Sequence, residues 1–142
     1  MKDPRIRPIV IGLFRQAEKI LVIEYFDHVK QETFYRPLGG GIEFGEPAQQ
    51  ALQREISEEL GAEAVDLEYR FTLENIFTCN GKPGHEIVLV FEGRLADPEM
   101  YRQEEINGHE DDGSTLRVVW KAIDDFGPGK CILYPDGLLE RL

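Results

Sequence analysis

The chain has 142 residues and a formal charge of −11, from 27 acidic and 16 basic residues. With 42% hydrophobic and 30% charged residues, its composition is that of one ordinary folded domain and excludes a disordered chain. No apolar run approaches the roughly 20 residues of a membrane helix, and the low basicity disfavours binding to duplex nucleic acid. Two cysteines are too few for a disulfide or zinc framework, so a reduced, cytoplasmic setting is expected.

Taken in chain order, β-branched and aromatic runs predict strands and one long amphipathic segment predicts a helix. The strands are expected at 6–14, 20–26, 34–38, 67–77, 86–95 and 116–120. The helix is expected over 47–60, with Pro47 in its first turn and Gly61 just past its end. A turn or loop is predicted at 39–41, a long loop at 97–112 and short helical turns at 123–126 and 137–142. The fold class is therefore mixed α/β or α+β, in a single domain over 1–142.

The excess negative charge lies in two short stretches. Residues 40–63 contain six acids against one base, and residues 97–112 contain seven acids against one base. The rest of the chain is neutral. Each stretch therefore needs its own explanation.

The predicted helix has an apolar stripe and, beside it, a strip of acids. The stripe contains Ala48, Leu52, Ile56 and Leu60. Glu55, Glu58 and Glu59 share the neighbouring arc, near the helix C-terminus, where they repel one another and the helix dipole disfavours them. A divalent cation such as Mg²⁺ or Mn²⁺ resolves this conflict because it prefers hard oxygen ligands. A solvated acidic face is the alternative interpretation of these three residues alone.

The spacing around these acids is more specific than the helix itself. It reproduces a signature over 40–62: Gly40, five residues, Glu46, seven residues, then Arg54-Glu55-Ile56-Ser57-Glu58-Glu59-Leu60-Gly61-Ala62. On this signature the chain resembles the Nudix (MutT-like) hydrolases. Ala62 is smaller than the aliphatic residue usual at that place. Leu38 stands where the family often has a proline.

The resemblance implies an α/β/α sandwich around a mixed β-sheet and a metal-dependent pyrophosphohydrolase. Such an enzyme cleaves a nucleoside diphosphate linked to another group, by attack of water at phosphorus. Glu55, Glu58 and Glu59 are then the metal ligands and catalytic residues, together with the backbone carbonyl of Gly39. Arg54 is expected to orient a signature carboxylate. Gly40, Glu46 and Gly61 are expected to be structural.

Further site residues are expected from the second acidic stretch and from scattered cations and aromatics. One of Glu104, Glu105 and Glu110 is eligible as an additional ligand or general base, although each is also consistent with a solvated loop. The candidates for substrate binding, which surface or packing roles also explain, are Arg36, Arg7 and Tyr35.

The sequence leaves the substrate open among nucleoside triphosphates, nucleotide sugars, ADP-ribose-type molecules, dinucleoside polyphosphates and capped RNA, although the low basicity weighs against long RNA. A non-catalytic Nudix-fold module that binds or senses a nucleotide is the alternative function, and an acidic interaction domain is a third hypothesis. Intact signature acids favour the enzyme. The expected partner is a small nucleotide, without duplex nucleic acid or membrane, and a homodimer is left open.

Overall fold

The structure, a computed structural model, describes residues 4–142 and contains in them eight β-strands, one α-helix and three short 3-10 helices. The strands are β1 (Ile6–Gln16), β2 (Lys19–Asp27), β3 (Glu32–Gly41), β4 (Ala64–Cys79), β5 (Lys82–Leu95), β6 (Glu105–His109), β7 (Thr115–Ala122) and β8 (Ile132–Leu133). The helices are α1 (Ala48–Leu60) and the 3-10 turns Pro98–Tyr101, Ile123–Asp125 and Leu139–Arg141. No helix of this part is long and apolar enough to cross a membrane.

The strands form one mixed sheet in the order β4-β5-β1-β3-β2-β7-β6, with β8 beside β3. β1 runs parallel to β5 and β3 runs parallel to β8, whereas the other neighbours are antiparallel. Along β3, residues 32–37 pair with β2 and residues 38–41 pair with β1. Because of this change of partner, the glycine-rich end of β3 lies beside β1. The mixed α+β fold class is confirmed.

Two hydrophobic cores lie on opposite faces of the central strands, because successive side chains of β1 point to opposite faces of the sheet. Val10 and Phe14 pack into the core that α1 covers, and Ile9, Ile11 and Leu13 pack into the other. The C-terminal part of the chain covers this second core with Phe126, Leu133 and Leu138. In residues 4–142 the second covering layer is therefore built from irregular chain and 3-10 turns, where the resemblance implied helices.

The helix prediction is confirmed almost to the residue. Leu52, Ile56 and Leu60 are buried against the sheet, as the stripe predicted. The helix ends at Gly61, which has the left-handed φ of 64° and donates its backbone N–H to the carbonyl of Ser57 at 2.8 Å. The last turn of the helix contains Glu58 and Glu59 but no basic residue.

The prediction that residues 39–41 form a turn or loop is wrong, because these glycines continue strand β3. Each pairs with a residue of β1: Gly39 with Ile11, Gly40 with Val10 and Gly41 with Ile9. Small side chains are needed here for close approach: a Cβ on Gly39 would lie 2.0 Å from the carbonyl oxygen of Val10.

The prediction of a long loop at 97–112 is also wrong in part. The stretch contains the 3-10 turn Pro98–Tyr101 and strand β6, which pairs with β7. In β6 only Ile106 and Gly108 are buried, so the strand has almost no apolar pattern of its own. It forms because β7 supplies a partner edge and because Gly108 permits contact with α1, where an added Cβ would lie 2.8 Å from the carbonyl oxygen of Glu59.

Candidate functional site

The candidate site lies where the C-terminal half of α1 packs beneath the end of β3. The segment between these elements is short and hydrogen-bonded to itself. The backbone N–H of Glu46 donates to the carbonyl of Glu43 at 3.0 Å, and the N–H of Glu43 donates to Oε1 of Glu46 at 3.2 Å. Pro47 then enters the helix in an extended conformation. The turn fixes the carboxylate of Glu46 beside α1.

Arg54 joins this turn, the strand and the helix. Its Nε and Nη2 donate to the two oxygens of Glu46 at 2.8 and 3.0 Å, a bidentate pair. Nη2 also donates to the carbonyl of Gly41 at 3.0 Å. Nη1 donates to Glu55 at 2.9 Å and to both oxygens of Glu58 at 3.4 Å. The hydrogen bond with Arg54 lowers the pKa of Glu46, so this carboxylate stays charged.

Glu55 approaches the strand so closely that a side chain at position 40 would displace its carboxylate. A Cβ on Gly40 would lie 2.4 Å from the carboxyl carbon of Glu55. Burial raises the pKa of Glu55, while the hydrogen bond and charge of Arg54 lower it and the charges of Glu58 and Asp111 raise it. Gly40, predicted to be structural, therefore determines where a signature carboxylate can lie.

Glu59 is the buried member of the set, with 8% of its surface exposed. Its Oε1 accepts the backbone N–H of Gly39 at 3.1 Å. Burial raises the pKa of Glu59 to about 8, and the neighbouring charges of Glu55 and Glu110 raise it, against the opposing effects of Gly39 and Arg36. A nearby cation would favour the charged form of this carboxyl.

Of the three eligible acids of the second stretch, the structure brings Glu110 to the site. Its charge acts on Glu59, and that of its neighbour Asp111 acts on Glu55. Glu104 and Glu105 instead line a separate cleft with Arg117, and Glu105 pairs with that arginine at 3.0 Å. The sequence did not single out Asp111, because an acid in a run of acids carries no distinguishing pattern.

The three predicted substrate-binding residues separate into two groups. Arg7 and Arg36 both approach the buried carboxylate of Glu86, with N–O distances of 3.7 and 3.6 Å. Tyr35 lies in the second core, where its hydroxyl donates to Glu24 at 2.8 Å and its ring packs edge-on against Phe126. The structure therefore does not bring Tyr35 to the acidic site.

Tyr25 was not predicted, yet it lies among the site's charges. Burial raises its pKa to about 12, and the charges of Arg36, Glu59, Glu110 and Glu55 all act on it. Nothing in the local sequence distinguishes it from other aromatic residues on strands. Tyr25 could be assigned to the site only from the structure, in which β2 pairs with β3 and Tyr25 packs against the core that α1 covers.

Comparison with known proteins decides the family. A profile of the NUDIX domain matches residues 3–134. The chain belongs to the NUDIX domain family. Among solved structures, a NUDIX hydrolase from Nitrosomonas europaea superimposes with a TM-score of 0.60, at 24% identity, covering 84% of this chain and 74% of that one. A structure from a study of MutT from Aliivibrio salmonicida and Vibrio cholerae gives a TM-score of 0.61 at 19% identity, covering 96% of both chains. These likenesses show the NUDIX fold.

The similar curated proteins are longer than this chain. The NAD-capped RNA hydrolase NudC of Pseudomonas aeruginosa is 30% identical over 102 residues, covering 72% of this chain and 34% of that protein. The NudC of Citrobacter koseri is 35% identical over 66 residues, covering 46% of this chain and 25% of that protein. The chain thus spans about a third or less of their length.

The NUDIX helix offers the donors that a hard divalent cation takes, although they do not converge in this arrangement. Within residues 4–142 no three Asp, Glu, His or Cys side chains are grouped closely enough to hold a metal ion. Glu55 and Glu58 contact Arg54, and Glu59 points toward Gly39. The donor set has the chemistry that Mg²⁺ or Mn²⁺ prefers, because all three side chains offer carboxylate oxygens. Glu59 is buried, and Glu55 lies beneath Gly40, which has no side chain to displace it. Binding would require the long side chains of Glu58 and Glu59 to change rotamer, whereas Glu55 can keep Oε1 on Arg54 because its other oxygen makes no hydrogen bond with the arginine.

Proposed function

We propose that the chain is a divalent-cation-dependent pyrophosphohydrolase acting on a nucleoside diphosphate linked to a further group. The single observation that supports this most is the arrangement around Arg54. One guanidinium is hydrogen-bonded to Glu46, the Gly41 carbonyl and two of the three signature glutamates. A solvated acidic face would need no such fixed network.

In this proposal the acidic residues of the site are the ligands of the cation. Glu55, Glu58 and Glu59 hold Mg²⁺ or Mn²⁺, with the carbonyl of Gly39 and the nearby Glu110 as further oxygen donors. When bound, the cation lowers the pKa of water and neutralises charge on phosphate oxygens. The protein therefore needs no nucleophile of its own.

Arg54 acts as a positioning residue, since it contacts the carboxylates and the strand. The guanidinium holds Glu46 in two parallel hydrogen bonds, and Glu46 in turn fixes the turn that leads into α1. Glu55 is thereby kept beneath Gly40. Outer hydrogen bonds of this kind orient ligands and tune their affinity.

A substrate panel tests the proposal. The purified chain is incubated with Mg²⁺ and nucleoside triphosphates, nucleotide sugars, ADP-ribose, NAD and NAD-capped RNA, and the phosphate products are separated by ion exchange. Cleavage of a diphosphate bond in one class is the expected result. Tight binding by calorimetry with no product would favour the sensing module, and a chain that neither binds nor cleaves any of them would contradict both functions.

The variant Arg54→Lys is expected to lower kcat/KM by about 10- to 100-fold, the usual cost of losing an outer-shell partner of a metal ligand. Lysine keeps the charge but cannot make the bidentate contact with Glu46 while also reaching Gly41 and Glu55. The control is Arg94→Lys, because Arg94 is 60% exposed and pairs with exposed Asp66, away from the candidate site. Equal rates in both variants would show that the network has no role in the reaction.

A further inference from the structure

Two turns that are distant in the sequence are hydrogen-bonded to each other in the fold. The first joins β2 to β3 and begins at Asp27, and the second joins β4 to β5 and contains Asn80. Oδ2 of Asp27 accepts the backbone N–H of Asn80 at 3.1 Å, and Oδ1 of Asn80 accepts the backbone N–H of His28 at 2.7 Å. The contact is reciprocal, since each turn supplies one side-chain acceptor and one backbone donor. We call these two hydrogen bonds the turn clamp.

Asp27 is almost fully buried and uses both of its carboxylate oxygens in this region. It is 2% exposed, and its Oδ1 accepts the backbone N–H groups of Val29 and Lys30, both at 2.9 Å. The backbone hydrogen bonds, that from Lys30 most of all, lower the pKa of Asp27 against the opposing effect of burial, so the carboxylate stays charged. Asn80 has a left-handed φ of 51°, which asparagine adopts more readily than most residues. The carboxylate of Asp27 therefore fixes the two turns relative to each other.

The turn clamp joins two parts of the sheet that are not paired with each other at this place. Strand β3 pairs with β1 over residues 38–41, whereas its residues 32–37 pair with β2 and β8. In the part of the chain that the structure describes, residues 32–37 have no backbone pairing with β4 or β5. A cavity of about 50 Å³ lies between these strands, and the side chains that line it include Asp27, Phe34 and Arg36 on one side and Asn75, Phe77 and Cys79 of β4 on the other.

Arg36 connects this cavity to the candidate site. Its Nη2 lies 3.6 Å from Oε1 of Glu86, and its charge acts on the carboxyl of Glu59 and on the hydroxyl of Tyr25. A separation of 3.6 Å is too long for a hydrogen bond, so the ion pair with Glu86 alone does not fix the guanidinium. Only 23% of the Arg36 side chain is exposed. Its position therefore depends on the two walls of the cavity and on what holds them together.

We propose that the turn clamp holds the two walls of this cavity together and thereby keeps Arg36 beside the acidic site, where its charge attracts the anionic substrate. Asp27 is then a positioning residue, because it acts through Arg36 and contacts no substrate itself. The inference rests on the proposed function in taking the substrate to be an anionic nucleotide derivative. Opening the clamp is expected to weaken substrate binding and to leave the chemical step unchanged, because the glutamates of α1 are not part of the clamp.

The reactivity of one thiol tests the clamp without any turnover. Cys79 lines the cavity and is partly buried, and Cys131→Ser leaves it as the only thiol of the chain. Asp27→Asn keeps the shape of the side chain but replaces one acceptor oxygen by an amide NH₂ group. Asn80→Gly keeps the left-handed backbone and removes the other acceptor. Each change is expected to raise the rate at which N-ethylmaleimide labels Cys79 by about five- to tenfold, the effect of one lost hydrogen bond on a local opening equilibrium.

Steady-state kinetics with the best substrate of the panel test whether Asp27 acts through Arg36. Asp27→Asn and Asn80→Gly are each expected to raise KM by about fivefold and to leave kcat within about twofold, because weaker uniform binding changes KM alone. In an Arg36→Ala background, Asp27→Asn is expected to have no further effect on KM. The matched control is Asp97→Asn, since exposed Asp97 also accepts a backbone N–H, that of Glu99 at 3.0 Å, but lies outside the cavity. The control is expected to match the parent in thiol labelling and in kinetics.

Melting curves verify that each variant is folded. Labelling of Cys79 within about twofold of the parent rate in both clamp variants would overturn the proposal. The proposal also fails if Asp27→Asn changes KM by the same factor with and without Arg36, or if it lowers kcat while KM is unchanged. An inactive parent would instead contradict the proposed function, and the labelling rates would still decide whether the turn clamp holds the cavity closed.

Discussion

Replacing Glu58 or Glu59 with glutamine is expected to lower kcat/KM by more than about 100-fold, above the usual cost of losing an outer partner of a metal ligand. Glutamine has nearly the shape of glutamate but lacks the negative charge that a cation requires. The two positions test different environments. The Glu58 side chain is 42% exposed and contacts Arg54, whereas Glu59 is buried and accepts the N–H of Gly39.

Because glutamine has nearly the shape of glutamate, these variants test the effect of the negative charge without a change in packing. Glu59→Gln can still accept the Gly39 hydrogen bond, so the fold is expected to survive while cation binding weakens. Glu68→Gln is the control, because this side chain is 70% exposed on β4 and pairs with Arg70 on the same strand. Initial rates at saturating Mg²⁺ measure the effect. If both Glu58→Gln and Glu59→Gln had the kcat/KM of the parent, the claim that glutamates of α1 hold the catalytic cation would be wrong.

Alanine substitutions along the three glycines of β3 are expected to separate stability from activity. Gly39→Ala is expected to destabilise the fold by about 3 kcal/mol, because Gly39 has a φ of 151° and its Cβ would overlap the carbonyl of Val10. Gly40→Ala is expected to lower kcat/KM by about 100-fold, the cost of displacing a reacting group by about 1 Å. Its Cβ meets the mobile end of Glu55, so the carboxylate moves and the fold remains.

Gly41→Ala provides the comparison within the same strand. Its Cβ would come no closer than 3.4 Å to Nη2 of Arg7, an ordinary contact. It is expected to change stability less than Gly39→Ala and activity less than Gly40→Ala. Urea unfolding and initial rates on the three variants measure both quantities. If Gly40→Ala were as active as the parent, the position of the Glu55 carboxylate would have no importance for the reaction.

The parts of the fold with a strong local pattern could be predicted from the sequence. Helix α1 combines an apolar stripe with Gly61 at its C-terminus, and both signals are local. Strand β6 could not be predicted, because it has only Ile106 as a buried side chain and depends on pairing with β7. The strand at 39–41 was missed for the opposite reason: glycine is typical of turns, but here it serves close packing against Val10 and Glu55.

The residues of the candidate site also differ in how far the sequence could predict them. Arg54 and the signature glutamates could be predicted because they share one helix and one spacing. Glu86 lies near the start of β5, and only the pairing of β5 with β1 brings it to Arg7. Arg7 and Arg36 were predicted as separate cations. Their common approach to Glu86 is a property of the folded sheet.

The dependence of hydrolysis on a divalent cation tests the central claim most directly. The chain is treated with EDTA, dialysed and assayed with the best substrate of the panel while Mg²⁺ is raised from zero to millimolar concentration. No product in EDTA and full recovery with Mg²⁺ is the predicted result, with a higher melting temperature at the same concentrations because the cation binds the folded state. Product formed at the same rate in EDTA as in Mg²⁺ would contradict the proposal that the glutamates of α1 hold a catalytic cation.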